Sequence, residues 1–158
     1  MKKLSRMLCV VTIFGLGASS VAASWGEWTY TKNIDPMSDE DTSMALMAIQ
    51  GEGHIMVRCD GSNDYDINIS VGEFIGGDLQ PVSYRVDDQA SVDAGSWGLS
   101  TDRKSVFAPD RMKSEILKKF MSGQKIIFQI TDFRGSKPYS EFSLSGSSNV
   151  INQLACIQ

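Results

Sequence analysis

One histidine limits the acid–base chemistry available to this chain. His54 is the only histidine, and a serine or cysteine nucleophile needs such a base within hydrogen-bond reach. The sequence contains no HExxH, GxSxG or glycine-rich phosphate loop. A catalytic triad is assembled in space, so one that uses His54 stays open, but we expect this side chain to be solvated on the polar face of a strand. No catalytic residue is predicted.

Four polar residues follow the spacing of a calcium-binding loop. They are Asp60, Ser62, Asp64 and Asp66, at loop positions one, three, five and seven. However, Tyr65 occupies the position where such a loop needs glycine, and Glu73 comes two residues too late to close it. We therefore predict a polar turn and no metal site.

The most unusual polar positions form a candidate binding patch: Arg85, Asp87, Trp97, Ser100 and Asp102. Arg85 and Asp87 stand two residues apart, which on a strand places both side chains on one face. Such residues can bind a protein partner or a glycan. They can equally be structural, as a cross-strand ion pair and a core tryptophan. We favour the structural interpretation, with Arg85 buried against Asp87 or Trp97, and keep all five as binding candidates.

The N-terminus has the composition of a secretory signal peptide. Lys2, Lys3 and Arg6 precede an apolar run over residues 7–16, and Val21-Ala22-Ala23 ends a stretch of small residues. The apolar run is shorter than the roughly 20 residues of a membrane-spanning helix. We therefore predict that residues 1–23 are removed on export and that residues 24–158 form a single domain. Stable membrane insertion is not expected.

Removal of this leader makes the chain more acidic. It leaves 12 basic residues against 19 acidic ones, so the formal charge moves from −4 to −7. Nucleic-acid binding relies on a basic face. The one basic cluster is expected to be a solvated helix face and consists of Lys113, Lys118, Lys119 and Lys125. The sequence therefore predicts no nucleic-acid partner.

The cysteine count indicates one disulfide. Export removes Cys9 and leaves Cys59 and Cys156 in a compartment where disulfides persist. Closing a loop of about 100 residues stabilises a chain by about 4.7 kcal/mol in the chain-entropy model. Two free buried thiols are the alternative, and a zinc site would need more ligands than two cysteines and His54 provide.

Hydrophobic periodicity predicts a mainly β or α+β domain. Strands are expected over residues 25–34, 42–50, 54–60, 65–71, 79–87, 96–101, 104–108, 125–131 and 139–145. Pro109, an apolar face from Met112 to Met121 and Gly123 predict one amphipathic helix. Ser148 or Asn149 is expected to cap a short C-terminal helix. This order predicts an antiparallel sheet or sandwich with helices laid on it, and with the last helix stapled by the disulfide.

Six short landmarks follow one another in the sequence: Arg58-Cys59, Tyr84-Arg85-Val86-Asp87-Asp88, Trp97-Gly98-Leu99-Ser100-Thr101-Asp102, Phe107-Ala108, Phe142-Ser143-Leu144-Ser145-Gly146 and Leu154-Ala155-Cys156. In this order they resemble the landmarks of the VasI-type family of type VI secretion-associated proteins. The resemblance covers about residues 25–156 and concerns the C-terminal, β-rich part of that family. The family's N-terminal cysteine-pair segment has no counterpart in it. The pattern of strands and terminal cysteine is also similar to that of the invasion-associated locus B proteins.

The VasI-type resemblance implies an envelope protein that accompanies a secretion system and has no enzymatic activity to carry over. The locus B resemblance implies a stand-alone periplasmic domain. We therefore predict a non-enzymatic binding or accessory protein of the bacterial envelope, periplasmic or secreted, that needs no cofactor and binds an envelope or secretion-machinery protein. A hydrolase of wall or glycan material, or an inhibitor of an exported lytic enzyme, is the alternative.

Overall fold

The computed structural model describes residues 26–157. The predicted leader, residues 1–23, lies outside the described residues, as do residues 24, 25 and 158. The strands are β1 (Trp28–Thr31), β2 (Met44–Ile49), β3 (Gly53–Cys59), β4 (Tyr65–Ser70), β5 (Leu79–Val86), β6 (Val92–Leu99), β7 (Val106–Phe107), β8 (Lys125–Ile130) and β9 (Tyr139–Ser143). The helices are α1 (Asp110–Ser122), α2 (Ser147–Ile151) and a 3-10 helix (Ala155–Ile157). Within the described range, no helix has the length and apolar character needed to cross a membrane.

The nine strands of the described chain form one antiparallel sheet in the order β1-β2-β3-β4-β7-β6-β5-β8-β9. The sheet folds over, so that β9 at one edge contacts β3 near the other edge. The short strand β7 joins the two halves, because Val106 pairs with Ile69 of β4 and with Leu99 of β6. The predicted mainly β, antiparallel fold class is confirmed, and one folded sheet encloses the core as the two sheets of a sandwich do.

Strand boundaries differ from the predicted ones near edges and turns. β1 is shorter than residues 25–34, and Ile34 makes only an isolated bridge to Asp41. β6 begins at Val92, earlier than predicted, because it pairs with β5 across an irregularity between Pro81 and Ser83. β7 is shorter than residues 104–108. Pairing with neighbouring strands, which a local pattern does not contain, sets these limits.

The period of two places one face of the long strands in the core. The buried hydrophobic residues are Ile55, Val57 and Cys59 in β3, and Val82, Tyr84 and Val86 in β5. β4 departs from the predicted pattern because its polar residues Asn68 and Ser70 are buried as well. Asn68 Nδ2 donates to Ser105 Oγ at 2.9 Å, and Ser70 Oγ donates to Lys104 O at 2.9 Å. The segment before β7 therefore covers and satisfies them.

The amphipathic helix forms where the sequence predicts it. α1 connects the end of β7 to the start of β8; its buried residues are Ile116, Leu117 and Phe120. The rings of Phe120 and Phe128 meet with their centroids 6.2 Å apart. The helix begins after Pro109 and ends before Gly123, whose N–H donates to Lys119 O. Proline at the start and glycine at the end mark these limits in the sequence.

The C-terminal segment forms two short helices instead of one. α2 begins after Gly146, whose φ is 81°, so the prediction that Ser148 or Asn149 caps it is wrong. The buried Ser147 explains the earlier start, since its Oγ donates to Phe120 O at 2.6 Å and ties α2 to α1. Cys156 follows in the 3-10 helix.

A disulfide joins Cys59 at the end of β3 to Cys156, with their Cα atoms 5.7 Å apart. The predicted bond is confirmed, and the alternative of two free thiols is wrong. It links positions separated by 97 residues, so the last helix is held against the third strand.

Candidate functional site

The structure does not bring the five residues of the candidate binding patch together. Trp97 is fully buried, and its Nε1–H donates to Ala94 O at 3.1 Å. Its ring packs against Phe128, with the centroids 6.2 Å apart. Trp97 is therefore a core residue, as the structural interpretation expected, and it has no exposed surface with which to line a patch.

Arg85 and Asp87 have separate environments. Arg85 is exposed on β5, so its predicted burial is wrong. β5 ends at Val86, and Asp87 follows in a turn with a φ of 49°. Asp87 Oδ1 accepts the N–H groups of Gln124 and Lys125, both at 2.9 Å. Asp87 thus holds the connection from α1 to β8, and among the described residues no ion pair joins it to Arg85.

Ser100 and Asp102 close the connection between β6 and β7. Ser100 Oγ donates to Asp102 Oδ1 at 2.6 Å and accepts the N–H of Ser105 at 3.1 Å. The Ser100 hydroxyl, followed by the Lys104 N–H, lowers the pKa of Asp102. These contacts give both side chains a structural role. A binding role for the exposed members of the patch stays a prediction.

His54 is half-buried, contrary to the expectation of a solvated side chain. Its Nε2 lies 2.7 Å from Asn68 Oδ1, and the Asn68 amide donates in turn to Ser105 Oγ. A nucleophilic serine would need its hydroxyl on the imidazole. Here the Asn68 amide lies between the His54 imidazole and the Ser105 hydroxyl. These side chains therefore link β3, β4 and the segment before β7 by hydrogen bonds and do not have the geometry of a catalytic triad.

The turn after β3 is held by hydrogen bonds to Asp60. Asp60 Oδ1 accepts the N–H groups of Ser62 and Asp64 at 2.8 and 3.2 Å, and the N–H and hydroxyl of Ser62 lower the pKa of Asp60. Lys113 Nζ of α1 lies 3.6 Å from Asp64 and 3.4 Å from Asp66. Within residues 26–157, no three His, Cys, Asp or Glu side chains are grouped to hold a metal ion.

Four connections meet at the end of the sheet opposite α1 and form what we call the loop end: residues 50–52, 71–78, 100–105 and 131–138. An open cleft of about 690 Å³ lies there, between the β2–β3 turn and β9. Its lining residues are Gly51, Glu52, Val71, Glu73, Lys137, Pro138, Tyr139, Ser140 and Glu141. The buried Ser140 donates its hydroxyl to Glu52 O, which joins the two walls. Three carboxylates, one ammonium group and a tyrosine that is 66% exposed thus surround the opening.

Two phenylalanines project from the loop end beside this cleft. Phe74 is 50% and Phe133 is 56% exposed, and their rings meet edge to face with the centroids 6.0 Å apart. The guanidinium carbon of Arg134 lies 5.2 Å from the centre of the Phe133 ring. Phe74 directly follows Glu73, which lines the cleft. The aromatic pair and the cleft therefore both belong to the loop end.

Backbone hydrogen bonds hold the two phenylalanine loops in place. The Phe133 N–H donates to Ile75 O at 3.0 Å, and the Ile75 N–H donates to Arg103 O at 2.9 Å. The buried Asp132 accepts two N–H groups of its own loop at 2.8 Å each. Burial opposes the charge on Asp132, but these N–H groups and the Arg134 charge lower its pKa. Because the loops are ordered in advance, a ligand that binds them orders little additional chain.

The residues of this surface are not among the predicted site residues. One signal in the sequence points to them: large aromatic residues stand in glycine-rich turns, Phe74 before Gly76-Gly77 and Phe133 before Gly135. A phenylalanine in a turn has neither a strand face nor a helix face to bury it. Such residues therefore stay exposed at the surface, as Phe74 and Phe133 do.

The fold and the site together define a class of protein: a disulfide-linked, mainly β domain with helices at one end of a folded sheet and an aromatic, acidic loop end at the other. The chain is similar in fold to the crystal structure of invasion associated protein B from Bartonella henselae, with a TM-score of 0.53 and 18% identity over 88% of this chain and 99% of that chain. No protein-family model matches the sequence, and a search of curated proteins finds no match. At this identity the likeness shows the shared fold alone, and the VasI-type resemblance stays a prediction.

Proposed function

We propose that this chain is a non-enzymatic binding or accessory protein of the bacterial envelope that captures a protein partner with its loop end. The observation that carries this proposal is the aromatic pair, two large apolar side chains about half exposed on loops that hydrogen bonds hold in place. Burying a phenylalanine side chain contributes about 1.5–3 kcal/mol. Aromatic residues on a rigid surface supply much of the affinity in protein interfaces.

Pull-down from envelope extract with the oxidised protein tests this proposal. We expect the wild type to retain a partner, identified by mass spectrometry, and the Phe74→Ala/Phe133→Ala variant to lose it. Met37→Ala is the matched control, because Met37 is 93% exposed in the β1–β2 connection at the opposite end. Both variants should melt like the wild type. A partner retained by the double variant would contradict the proposal.

The proposed compartment is the periplasm or the exterior. The disulfide fits an oxidising compartment, and the N-terminal sequence fits export. Cell fractionation with non-reducing electrophoresis tests this placement. Reduced protein found in the cytoplasm would contradict it.

An association with a type VI secretion system is the narrower form of the proposal, and the ordered sequence landmarks support it. Cross-linking in cells with and without the secretion genes tests it. We expect the captured partner to disappear with those genes. An unchanged set of cross-linked proteins would remove this part of the proposal and leave the binding function in place.

A hydrolase of wall or glycan material is the second candidate, because Glu52, Glu73 and Glu141 line one open cleft. Glycosidases place two carboxyl groups across the bond that they cleave. Incubation with purified peptidoglycan tests this candidate, with Glu40→Gln at the opposite end as the control. Soluble fragments whose release depends on the cleft glutamates would replace the binding proposal. Inhibition of an exported lytic enzyme is a special case of the binding proposal. In that case the pull-down would identify the lytic enzyme as the partner.

A further inference from the structure

Among the described residues, β9 is an edge strand of the sheet and pairs only with β8. The Ile130 N–H donates to Pro138 O, and the Leu144 N–H donates to Gln124 O. These two bonds identify which residue pairs of β8 and β9 are hydrogen-bonded pairs. In an antiparallel pair, hydrogen-bonded and non-hydrogen-bonded residue pairs alternate. Tyr139 therefore falls in a non-hydrogen-bonded pair, and its N–H and C=O point away from β8. The same alternation applies to Glu141.

These outward backbone groups have no partner in the described part of the chain. Outside the β8–β9 ladder, the backbone N–H and C=O groups of Tyr139 and Glu141 make no hydrogen bond within residues 26–157. The next outward carbonyl, that of Ser143, is different because it accepts the Trp28 Nε1–H at 3.0 Å. The free edge thus runs over residues 139–141 and opens into the cleft, which these residues line.

The charge of the cleft indicates what can occupy it. Glu52 and Glu73 are exposed on the wall opposite β9, and Glu141 lies on the edge strand itself. Lys137 is the one cation among residues 26–157 that lines the cleft, and Lys125 Nζ lies 3.7 Å from Glu141. The chain as a whole carries a formal charge of −4. A charged residue on an edge strand opposes pairing between identical copies, whereas the same carboxylates attract a basic chain.

We propose that β9 accepts an extended, basic segment of the partner protein by strand addition in this cleft. The incoming segment exchanges hydrogen bonds with Tyr139 and Glu141, and its basic side chains face the cleft glutamates. Strand addition draws affinity from main-chain hydrogen bonds and specificity from alternate side chains. This inference rests on the proposed function and names the mode of binding and the chemistry of the partner.

A labelled peptide of alternating lysine and valine is the probe, titrated against the oxidised protein by fluorescence anisotropy. We expect it to bind, and we expect its glutamate–valine counterpart and a version N-methylated on alternate amides to bind on the order of tenfold more weakly. The methyl groups remove donors along one edge and keep the charge. Equal binding of the methylated peptide overturns strand addition, and so does an absence of binding by the lysine peptide.

Two variants of one position separate hydrogen bonding from charge. Glu141→Pro removes an outward N–H that the β8 ladder does not use, and proline is tolerated on such an edge. Glu141→Gln removes the charge and keeps the N–H. We expect the proline variant to bind the lysine peptide on the order of tenfold more weakly than the glutamine variant. Equal affinities of these two variants overturn the proposal.

Hydrogen exchange on the wild type gives the same answer if Glu141→Pro does not fold. The amides of Tyr139 and Glu141 should exchange more slowly when the peptide is bound, and unchanged exchange overturns the proposal. Analytical ultracentrifugation tests the other occupant. A dimer of the free protein that Glu141→Pro dissociates would assign the edge to a second copy of this chain and overturn the partner segment.

The envelope pull-down distinguishes this inference from the proposed function. A partner that Glu141→Pro retains, but that the double phenylalanine variant loses, overturns strand addition and keeps the binding function. A partner that both variants retain overturns strand addition and the proposed binding function. Loss of the partner from both folded variants supports strand addition and the proposed binding function.

Discussion

Asp87 lies where β5 ends, and its carboxylate accepts the backbone N–H groups of Gln124 and Lys125, where α1 connects to β8. Arg85, two residues earlier, is exposed. The strand stops between them, so the period of two that would place them on one face no longer applies. At the scale of the residue, backbone hydrogen bonding decides the role of Asp87, and charge complementarity between neighbours in sequence does not.

Replacing Asp87 by alanine should lower the free energy of unfolding by about 1–2 kcal/mol, because two backbone donors lose their acceptor. Alanine is also less favourable than aspartate at the φ of 49° found there. Arg85→Ala is the matched control and should change stability by less than about 0.5 kcal/mol. Urea unfolding of both variants measures the difference. Equal losses would show that Arg85 makes a structural contact.

We expect that the position of Gly76, beneath the aromatic pair, requires glycine. Its φ is 64°, and an added Cβ would lie 2.7 Å from the Phe133 ring. Gly76→Ala should therefore cost about 1 kcal/mol or more and displace the ring. Gly98→Ala is the control, since nothing lies within 4 Å of its added Cβ, and thermal melts compare the two. A stable Gly76→Ala variant would mean that the loop adapts at no cost.

At the scale of the element, aspartates hold the turns of this sheet. Backbone N–H groups or serine hydroxyls in the same turn lower the pKa of each; they are Asp35, Asp41, Asp60, Asp102 and Asp132. For Asp132 they do so against the opposing effect of burial. Because the folded pKa lies below the ordinary value of 3.8, each charge stabilises the fold above that pH, and protonation removes this contribution as the pH falls through the folded pKa.

The free energy of unfolding should therefore be nearly constant between about pH 7 and about pH 5 and should fall below about pH 4. Asp132→Asn should make the fall shallower, because one titrating carboxylate is removed from the loop end. Glu73→Gln is the control, since Glu73 is exposed and makes no hydrogen bond in the described range. Chemical unfolding across this pH range measures both slopes. Equal slopes for wild type and Asp132→Asn would show that the Asp132 carboxylate does not contribute to the loss of stability at low pH.

At the scale of the whole molecule, one covalent bond supports the helix end while the loop end relies on hydrogen bonds. The disulfide joins the end of β3 to the last helix. The double variant Cys59→Ser/Cys156→Ser should be less stable than the oxidised wild type by about 2–5 kcal/mol. The reduced wild type should unfold like this variant. Identical unfolding of oxidised and reduced wild type would show that the bond adds no stability.

Local patterns and counting determine much of this protein. The period of two identifies the buried faces of β3 and β5, and Pro109 and Gly123 delimit α1. Cys9 lies in the predicted leader, so the count leaves Cys59 and Cys156 as the one pair to be joined. Each of these predictions uses neighbouring residues or a residue count, and for that reason the sequence by itself determines the fold class, the disulfide pair and the order of most elements, but not the limits of the strands.

The tertiary structure alone decides which loops and edges meet. Phe74 and Phe133 lie far apart in the chain, and they form a pair because β5 and β8 pair with each other and bring the connection before β5 next to the connection after β8. The free edge of β9 depends in the same way on the order of the strands. Long-range pairing sets these contacts, and no local pattern contains it, so the loop end emerges only when the whole sheet has formed.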